Sequence, residues 1–440
     1  MATNTWVEID PLTPFSLSNL PFAIATTPLD PNPHIVTAIG AYVLELSTLI
    51  GNLSEEAHAV LFSPTDQYHL SRILASDTLN DFASLGRAVH RRVREGLQDL
   101  LGDSPTFPEA LRDNPAVRAR VMVPMGQAQF RMPVAVGDYT DFYAGYYHAR
   151  AVGAMFRGED KALMPNYLHL PVGYHGRSSS VVLSGTGVRR PVGQIVEGSG
   201  NPTPVTKPTG KLDLELELGC IVARSSPGLG ERVKVEEAGE YIFGYVLLND
   251  WSARDVQKWE YVPLGPFNGK NFATTISPWV VTADALEPYR VKPSVELGVE
   301  TQEYLRQGRE DRVFDIQLEV DLTTAEGVTT TISRTNSRHL VWSFEQMIAH
   351  HTLGGCPLRT GDLLGSGTIS GPGGPGEAGC LLEATLDGSK PIEVQADGKT
   401  VTRSYLEDGD TITLRGFCGP EGARVGFGEC TGRIEAAKWP

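Results

Sequence analysis

Lys211-Leu212-Asp213-Leu214-Glu215-Leu216-Glu217-Leu218-Gly219 is the stretch whose reading decides the rest. Leucine alternates with acid, the period of two expected of a β-strand. Leu212, Leu214, Leu216 and Leu218 share one side, and Asp213, Glu215 and Glu217 share the other. Neighbouring carboxylates on one strand face repel, and acids are poor strand formers. Two readings follow. Either the acids form the solvated face of a half-buried strand, or a divalent cation sits against them and cancels the repulsion. With oxygen donors only, that ion is a hard one, magnesium or calcium.

Two other stretches offer partners. Asn249-Asp250-Trp251-Ser252-Ala253-Arg254-Asp255-Val256-Gln257 follows an apolar run at 245–248, so Asp250 falls at a strand end. Ser252 and Asp255 have the spacing of a capping box, which predicts a helix with Arg254, Gln257 and Tyr261 on one face. The loop 264–270 then returns Lys270 toward the same place. Upstream, Asp138-Tyr139-Thr140-Asp141-Phe142-Tyr143 leads into Ala144-Gly145-Tyr146-Tyr147-His148. A helix from about Asp141 would put Asp141, Gly145 and His148 on one stripe. His169 and His175 lack zinc-type spacing to an acid and read as structural, and His350-His351 point apart on any regular element. There is no Gly-x-Ser-x-Gly elbow, and no cysteine sits in a nucleophile context.

The bulk numbers narrow the field. The chain has 440 residues, room for two or three domains, and its 47 glycines and 30 prolines point to many turns and a β-rich fold. A net charge of −15 argues against nucleic acid and anionic membrane as partners. Five widely spaced cysteines, an odd number with no Cys-x-x-Cys pair, fit free thiols in a reducing compartment. The first residues carry no basic region or long apolar run, and nothing reaches the ~20 apolar residues of a membrane span. A cytoplasmic protein is expected.

Residues 1–133 read as a leading domain. Strands are expected at 22–25, 34–39 and 41–46, a helix opening at Ser54-Glu55-Glu56, and a second helix over 81–101 with apolar residues at 85, 89, 93, 97 and 100/101. His90, Arg91, Arg92 and Arg94 read as its solvated face. In residues 134–440, strands are expected at 180–184, 212–223, 241–248, 275–282, 314–322, 328–333 and 411–414. The Gly/Pro-rich stretches 197–209 and 371–379 read as surface loops. Strands without regular intervening helices argue against a doubly wound parallel sheet.

Several long blocks also resemble one family. They are Asp138-Tyr139-Thr140-Asp141-Phe142-Tyr143, His169-Leu170-Pro171-Val172-Gly173-Tyr174-His175-Gly176-Arg177, Asn249-Asp250-Trp251-Ser252-Ala253-Arg254-Asp255, Trp259-Glu260-Tyr261-Val262-Pro263-Leu264-Gly265-Pro266-Phe267, Gly361-Asp362-Leu363-Leu364 and Ser366-Gly367-Thr368-Ile369-Ser370-Gly371. Together they look like the fumarylacetoacetate hydrolase family, with Tyr167 and Ala273 departing from its pattern. The resemblance implies a mostly β fold with some α: an N-terminal SH3-like β-barrel domain and a C-terminal mixed β-roll catalytic domain, paired as a homodimer. It implies hydrolysis of a β-diketo diacid, 4-fumarylacetoacetate, at a C–C bond. A related acylpyruvate hydrolase or decarboxylase, or a non-catalytic dimeric scaffold, is the alternative.

By position in those blocks, Asp141, Glu215, Glu217 and Asp250 would hold a divalent cation, Ca²⁺ or Mg²⁺. Lys270, through its carbonyl, and Thr274 would join Asp250 at a second, magnesium site. His148 would be the base, oriented by Glu383. Arg254, Gln257 and Lys270 would stabilise an oxyanion, and Tyr143, Arg157, Tyr174, Gln257, Tyr261 and Thr368 would contact substrate. Asp213 is expected to be only a neighbour.

Overall fold

The computed structural model describes residues 4–197, 203–396 and 398–439. The expected leading strands form one antiparallel five-stranded sheet in the order Met122–Pro124, Tyr42–Glu45, His34–Ile39, Phe22–Thr26, Gln129–Arg131. Its tightest turn, between Ile39 and Tyr42, runs through Gly40 at φ 55°, where a Cβ would lie 2.7 Å from Ile9 Cγ2. Only glycine fits there. Ser54 caps the helix Glu55–Phe62 by accepting from the Ala57 N–H, with two acids in the first turn.

The second expected helix is two. Asn80–Ser84 and Arg87–Leu101 are separated by Gly86 at φ 86°, a left-handed link no continuous helix accommodates. Val93, Leu97, Leu100 and Leu101 are buried as their spacing predicts. The basic face is solvated only in part: Arg91 is exposed and Arg92 and Arg94 are half-buried. His90 is buried, Arg87 and Arg91 both reach Asp284 (3.1 and 2.8 Å), and Arg94 donates to the Asn19 carbonyl. This helix is the seam between the two halves of the chain.

Among its described residues, the following half holds two large sheets and four two-stranded ones. The larger runs Gly173–His175, Tyr139–Phe142, Leu363–Gly365, Leu216–Val222, Ile242–Asp250, Thr274–Ile276, Val181–Leu183, with Val281–Thr282 also on Ile242–Asp250. It is mixed: Leu363–Gly365 lies parallel to Tyr139–Phe142, and Thr274–Ile276 parallel to Val181–Leu183. The smaller runs Thr329–Asn336, Gln317–Thr323, Thr411–Cys418, Val425–Glu435, Val188–Arg189. Thr411–Cys418 alternates buried and half-buried residues, the period of a strand with one covered face. Leu216, Leu218, Leu247, Leu318, Leu414 and Phe427 join in one core between the sheets. The fold is mostly β, as expected.

Three strand expectations need correction. The segment 275–282 is two strands broken around Pro278, and part of the loop 197–209 is a strand, Pro204–Pro208, paired with Val192–Val196. More important, 211–219 is not one half-buried strand. Leu212–Asp213 pairs with Ser252–Ala253, the chain breaks at 214–215, and Leu216–Val222 pairs with Ile242–Asp250 and Leu363–Gly365. Every residue of 212–223 is buried. The leucine side enters the core just described, while Ile221, on the acid side, packs with Phe22, Phe82 and Phe243 in the leading domain's core. A solvated acid face is excluded.

Candidate active site

Four carboxylates converge where the larger sheet's strands end. Asp141 comes from Tyr139–Phe142, Glu215 from the break at 214–215, Glu217 from Leu216–Val222, and Asp250 ends its strand. One ligand atom of each lies within 4.8 Å of all the others, and all four residues are buried. Pairing enforces this: Gly365 is opposite both Asp141 and Gly219, and the Asp250 N–H donates to the Glu215 carbonyl. Gly365 also keeps the centre open, since a Cβ there would lie 2.7 Å from Asp141 Oδ1 and 3.1 Å from Glu217 Oε2.

The protein answers this charge only in part. Lys270 Nζ bonds Glu215 Oε2 and lies 2.7 Å from Asp250 Oδ2, and Arg254 Nη1 lies 2.7 Å from Glu215 Oε1. Burial opposes ionisation of Glu215, but these cations outweigh it and hold its pKa down to about 2. Asp141 and Glu217 are pushed well above the carboxylate range, first by burial and then by the neighbouring acids. Asp141 Oδ1 and Glu217 Oε1 are buried with no hydrogen-bond partner. Unpaired buried carboxylate oxygens are costly. Oxygen-only donors, two orphaned oxygens and a glycine-lined opening fit a divalent cation.

Near the cage lies a histidine paired with a carboxylate. Asp141 is on a strand, not on the expected helical stripe with His148; that helix, Tyr146–Arg157, starts only after Gly145. A Cβ on Gly145 would lie 2.0 Å from the Thr368 carbonyl oxygen, so the turn needs glycine. The consequence is that His148 sits in the first turn, buried, with Nδ1 2.6 Å from Glu383 Oε2. Burial disfavours the Glu383 anion, but the His148 charge and its hydrogen bonds hold its pKa below the usual value. The Tyr143 ring stands edge-on to the imidazole, centroids 5.4 Å apart. Burial pushes its phenol well above the usual range.

Arg254 opens the helix Arg254–Glu260, whose preceding Ser252–Ala253 is a strand, so Ser252 is not the expected cap. Asp255 instead bonds Thr209 and the Gly210 N–H. Arg254 spends Nε on Asp213 (2.8 Å) and Nη1 on Glu215 and Gln257, leaving Nη2 buried and unpartnered. Asp213 is more than a neighbour. It also accepts the Leu381 and Leu382 N–H groups at 2.7 and 2.9 Å, anchoring the turn Leu381–Ala384 that carries Glu383.

Thr274 Oγ1 and Tyr174 OH both donate to Asp250, at 3.1 and 2.9 Å. Thr368 is buried beside Gly145. Arg157 turns to the Lys161 and Ala162 carbonyls, and Tyr261 is exposed past its helix end. Sequence reasoning missed Tyr139, whose buried hydroxyl has no partner and would lie 3.2 Å from a Cβ on Gly365. It also missed Ser370 and Cys380, which touch Glu383. Nothing in their local pattern marked them, because their partners are at least three residues away and meet only in the fold.

A mixed β-roll with a buried carboxylate cage and a His–Glu pair defines a class of metal-assisted hydrolase. The profile described as "Fumarylacetoacetate (FAA) hydrolase C-terminal" matches residues 139–435, and that described as "Fumarylacetoacetase N-terminal" matches 18–133. The chain is 50% identical over 436 residues to fumarylacetoacetase fahA of Aspergillus fumigatus, covering 98% of each. It is 44% identical to the human fumarylacetoacetase, covering 97% of each, and 41% identical to that of Dictyostelium discoideum, covering 98% of this chain and 97% of the relative. Among solved structures, the fumarylacetoacetate hydrolase of Exiguobacterium antarcticum superposes with a TM-score of 0.50 at 15% identity, over 95% of this chain and 99% of that one, which speaks to the fold. The chain belongs to the fumarylacetoacetate hydrolase family. Among the described residues no helix is long and apolar enough to cross a membrane.

Proposed function

We propose that the protein hydrolyses 4-fumarylacetoacetate to fumarate and acetoacetate, the closing step of tyrosine and phenylalanine breakdown. The observation that carries this reading is the His148–Glu383 pair set beside the four-carboxylate cage. Asp141, Glu215, Glu217 and Asp250 would hold Mg²⁺ or Ca²⁺, and Asp250, Thr274 and the Lys270 carbonyl would hold a second Mg²⁺. When bound, the cation polarises the diketone oxygens and takes up the charge of the departing enolate.

Donation of Nδ1–H to Glu383 leaves His148 Nε2 free to take a proton from water. The water oxygen bonds to the carbonyl carbon next to the fumaryl group. Arg254 Nη2, Gln257 and Lys270 receive the oxyanion, where loss of one donor typically costs about 10²–10³-fold. The C–C bond then breaks, its electron pair leaves on the acetoacetate carbon, and the proton on Nε2 is delivered to that carbanionic carbon of acetoacetate. Tyr143, Arg157, Tyr174, Tyr261 and Thr368 position the substrate.

The reading extends to assembly and location. Residues 1–133 form the leading domain and 134–440 the catalytic one. Val262, Leu264 and Phe267 are 65, 96 and 66% exposed beside Tyr261 and Trp259, an apolar patch that supports a homodimer. Leu264→Glu should shift sedimentation from dimer to monomer, and an unchanged dimer would place the interface elsewhere. Five free cysteines, four of them buried, support a cytoplasmic location. The test of function is loss of the diketone absorbance of fumarylacetoacetate, with and without a chelator. Turnover of acylpyruvates but not of fumarylacetoacetate would overturn it.

A further inference from the structure

Glu383 Oε2 accepts from three groups at once: His148 Nδ1 at 2.6 Å, Ser370 Oγ at 2.7 Å and Cys380 Sγ at 3.2 Å. Ser370 is buried, and its hydroxyl has no freedom. The Gly379 N–H donates to its oxygen at 2.9 Å, so its single proton is directed at Glu383. The same stretch is pinned to the acid-bearing strand. The Ile369 N–H donates to the Leu216 carbonyl, and the Leu216 N–H donates to the Gly379 carbonyl. Ser370 therefore stands between the cage strand and the base.

We infer that Ser370 is a positioning residue: its hydroxyl fixes the Glu383 carboxylate so that Glu383 receives, and does not take, the Nδ1 proton of His148. A carboxylate in a water-poor site that lacks donors draws protons toward itself. With Ser370 holding one lone pair and Cys380 contributing weakly, Oε2 stays an anion that orients the ring. The imidazole then presents Nε2 as its free base. Gly379 supplies the directionality, because an unanchored serine could turn its proton elsewhere. This inference rests on the role proposed for His148, and the experiment separates the two.

Ser370→Ala should lower kcat on the order of 10-fold or more, the scale of one hydrogen bond to a charged group, with KM little changed. Ser370→Thr, which keeps the hydroxyl, should restore most of it. With histidine ¹⁵N-labelled, the His148 Nδ1 proton should give a strongly deshielded resonance that moves further downfield in Ser370→Ala, as the proton is drawn toward Glu383, and returns in Ser370→Thr. The thermal midpoint of each variant shows whether the fold survives. An unchanged resonance in a folded Ser370→Ala protein overturns the inference, as does a loss of kcat that threonine does not rescue. Should the wild-type protein fail to hydrolyse fumarylacetoacetate, the proposed function falls while the resonance still decides the place of Ser370.

Discussion

His90 and His148 are 2 and 3% exposed, and they do opposite things. His90 donates Nε2–H to the Phe82 carbonyl at 2.9 Å and packs its ring on Phe82 and Phe243. Burial pushes its pKa down to about 4, so it stays neutral. His148 donates to a carboxylate and stands edge-on to a tyrosine ring. Equal burial thus leaves the partner to decide the chemistry. A carbonyl does not compensate a buried imidazolium, whereas a carboxylate does. One histidine is a core residue, and the other carries the base role proposed above.

The sharpest way to break the contrast is to remove each ring in turn. His148→Ala should reduce kcat by about 10²–10⁴-fold, the range of general-base catalysis, while calorimetry still reads cation binding. His90→Gln should leave kcat nearly untouched. Equal losses from the two variants would remove the distinction. Next in size is the cage near His148. Glu217 accepts only the Gly367 N–H and leaves Oε1 orphaned, an oxygen open to the cation proposed above. Glu217→Gln should weaken Mg²⁺ or Ca²⁺ binding by about 10–100-fold, reckoned as one charged contact of about 1.5–3 kcal/mol. An affinity equal to the wild type would mean that the cage holds no cation.

Much of this was legible in the chain. The alternation from Leu212 to Leu218 located the acids, and the buried stripe of 93, 97 and 100/101 located a helix. Period reveals which residues share a side, but not what covers that side. Pattern alone left the acid side of 211–219 open between a solvated face and a cation site, because the leading domain that packs against Ile221 on the same side is far off in sequence. The basic helix face misled in part for the same reason, since Asp284 lies nearly two hundred residues from Arg91. The break at 214–215 was hidden because leucine–acid alternation continues straight through it. It matters most of all, because it lets Asp213 turn to Arg254 while Glu215 and Glu217 enter the cage. Bringing the four acids together was within reach of residue pattern and family resemblance. The donors on Glu383 were not, because they exist only once the 370–380 segment folds back.

The smallest expected effect tests the inert partner in the comparison. A histidine held near 4 when folded, against 6.5 when unfolded, binds fewer protons in the native state between those values. Its contribution to stability is then complete above pH 6.5 and lost as pH falls toward 4. Between pH 7 and pH 5 this loss comes to about 2 kcal/mol, at 1.36 kcal/mol per pKa unit. Other groups titrate over the same range, so the informative quantity is the difference between two proteins. Glutamine at position 90 keeps an N–H for the Phe82 carbonyl and cannot take up the proton. Urea unfolding of His90→Gln should therefore fall less steeply from pH 7 to pH 5 than that of the wild type. Parallel curves would mean that His90 is charged in the folded protein, and a carbonyl would then suffice where a carboxylate was thought necessary.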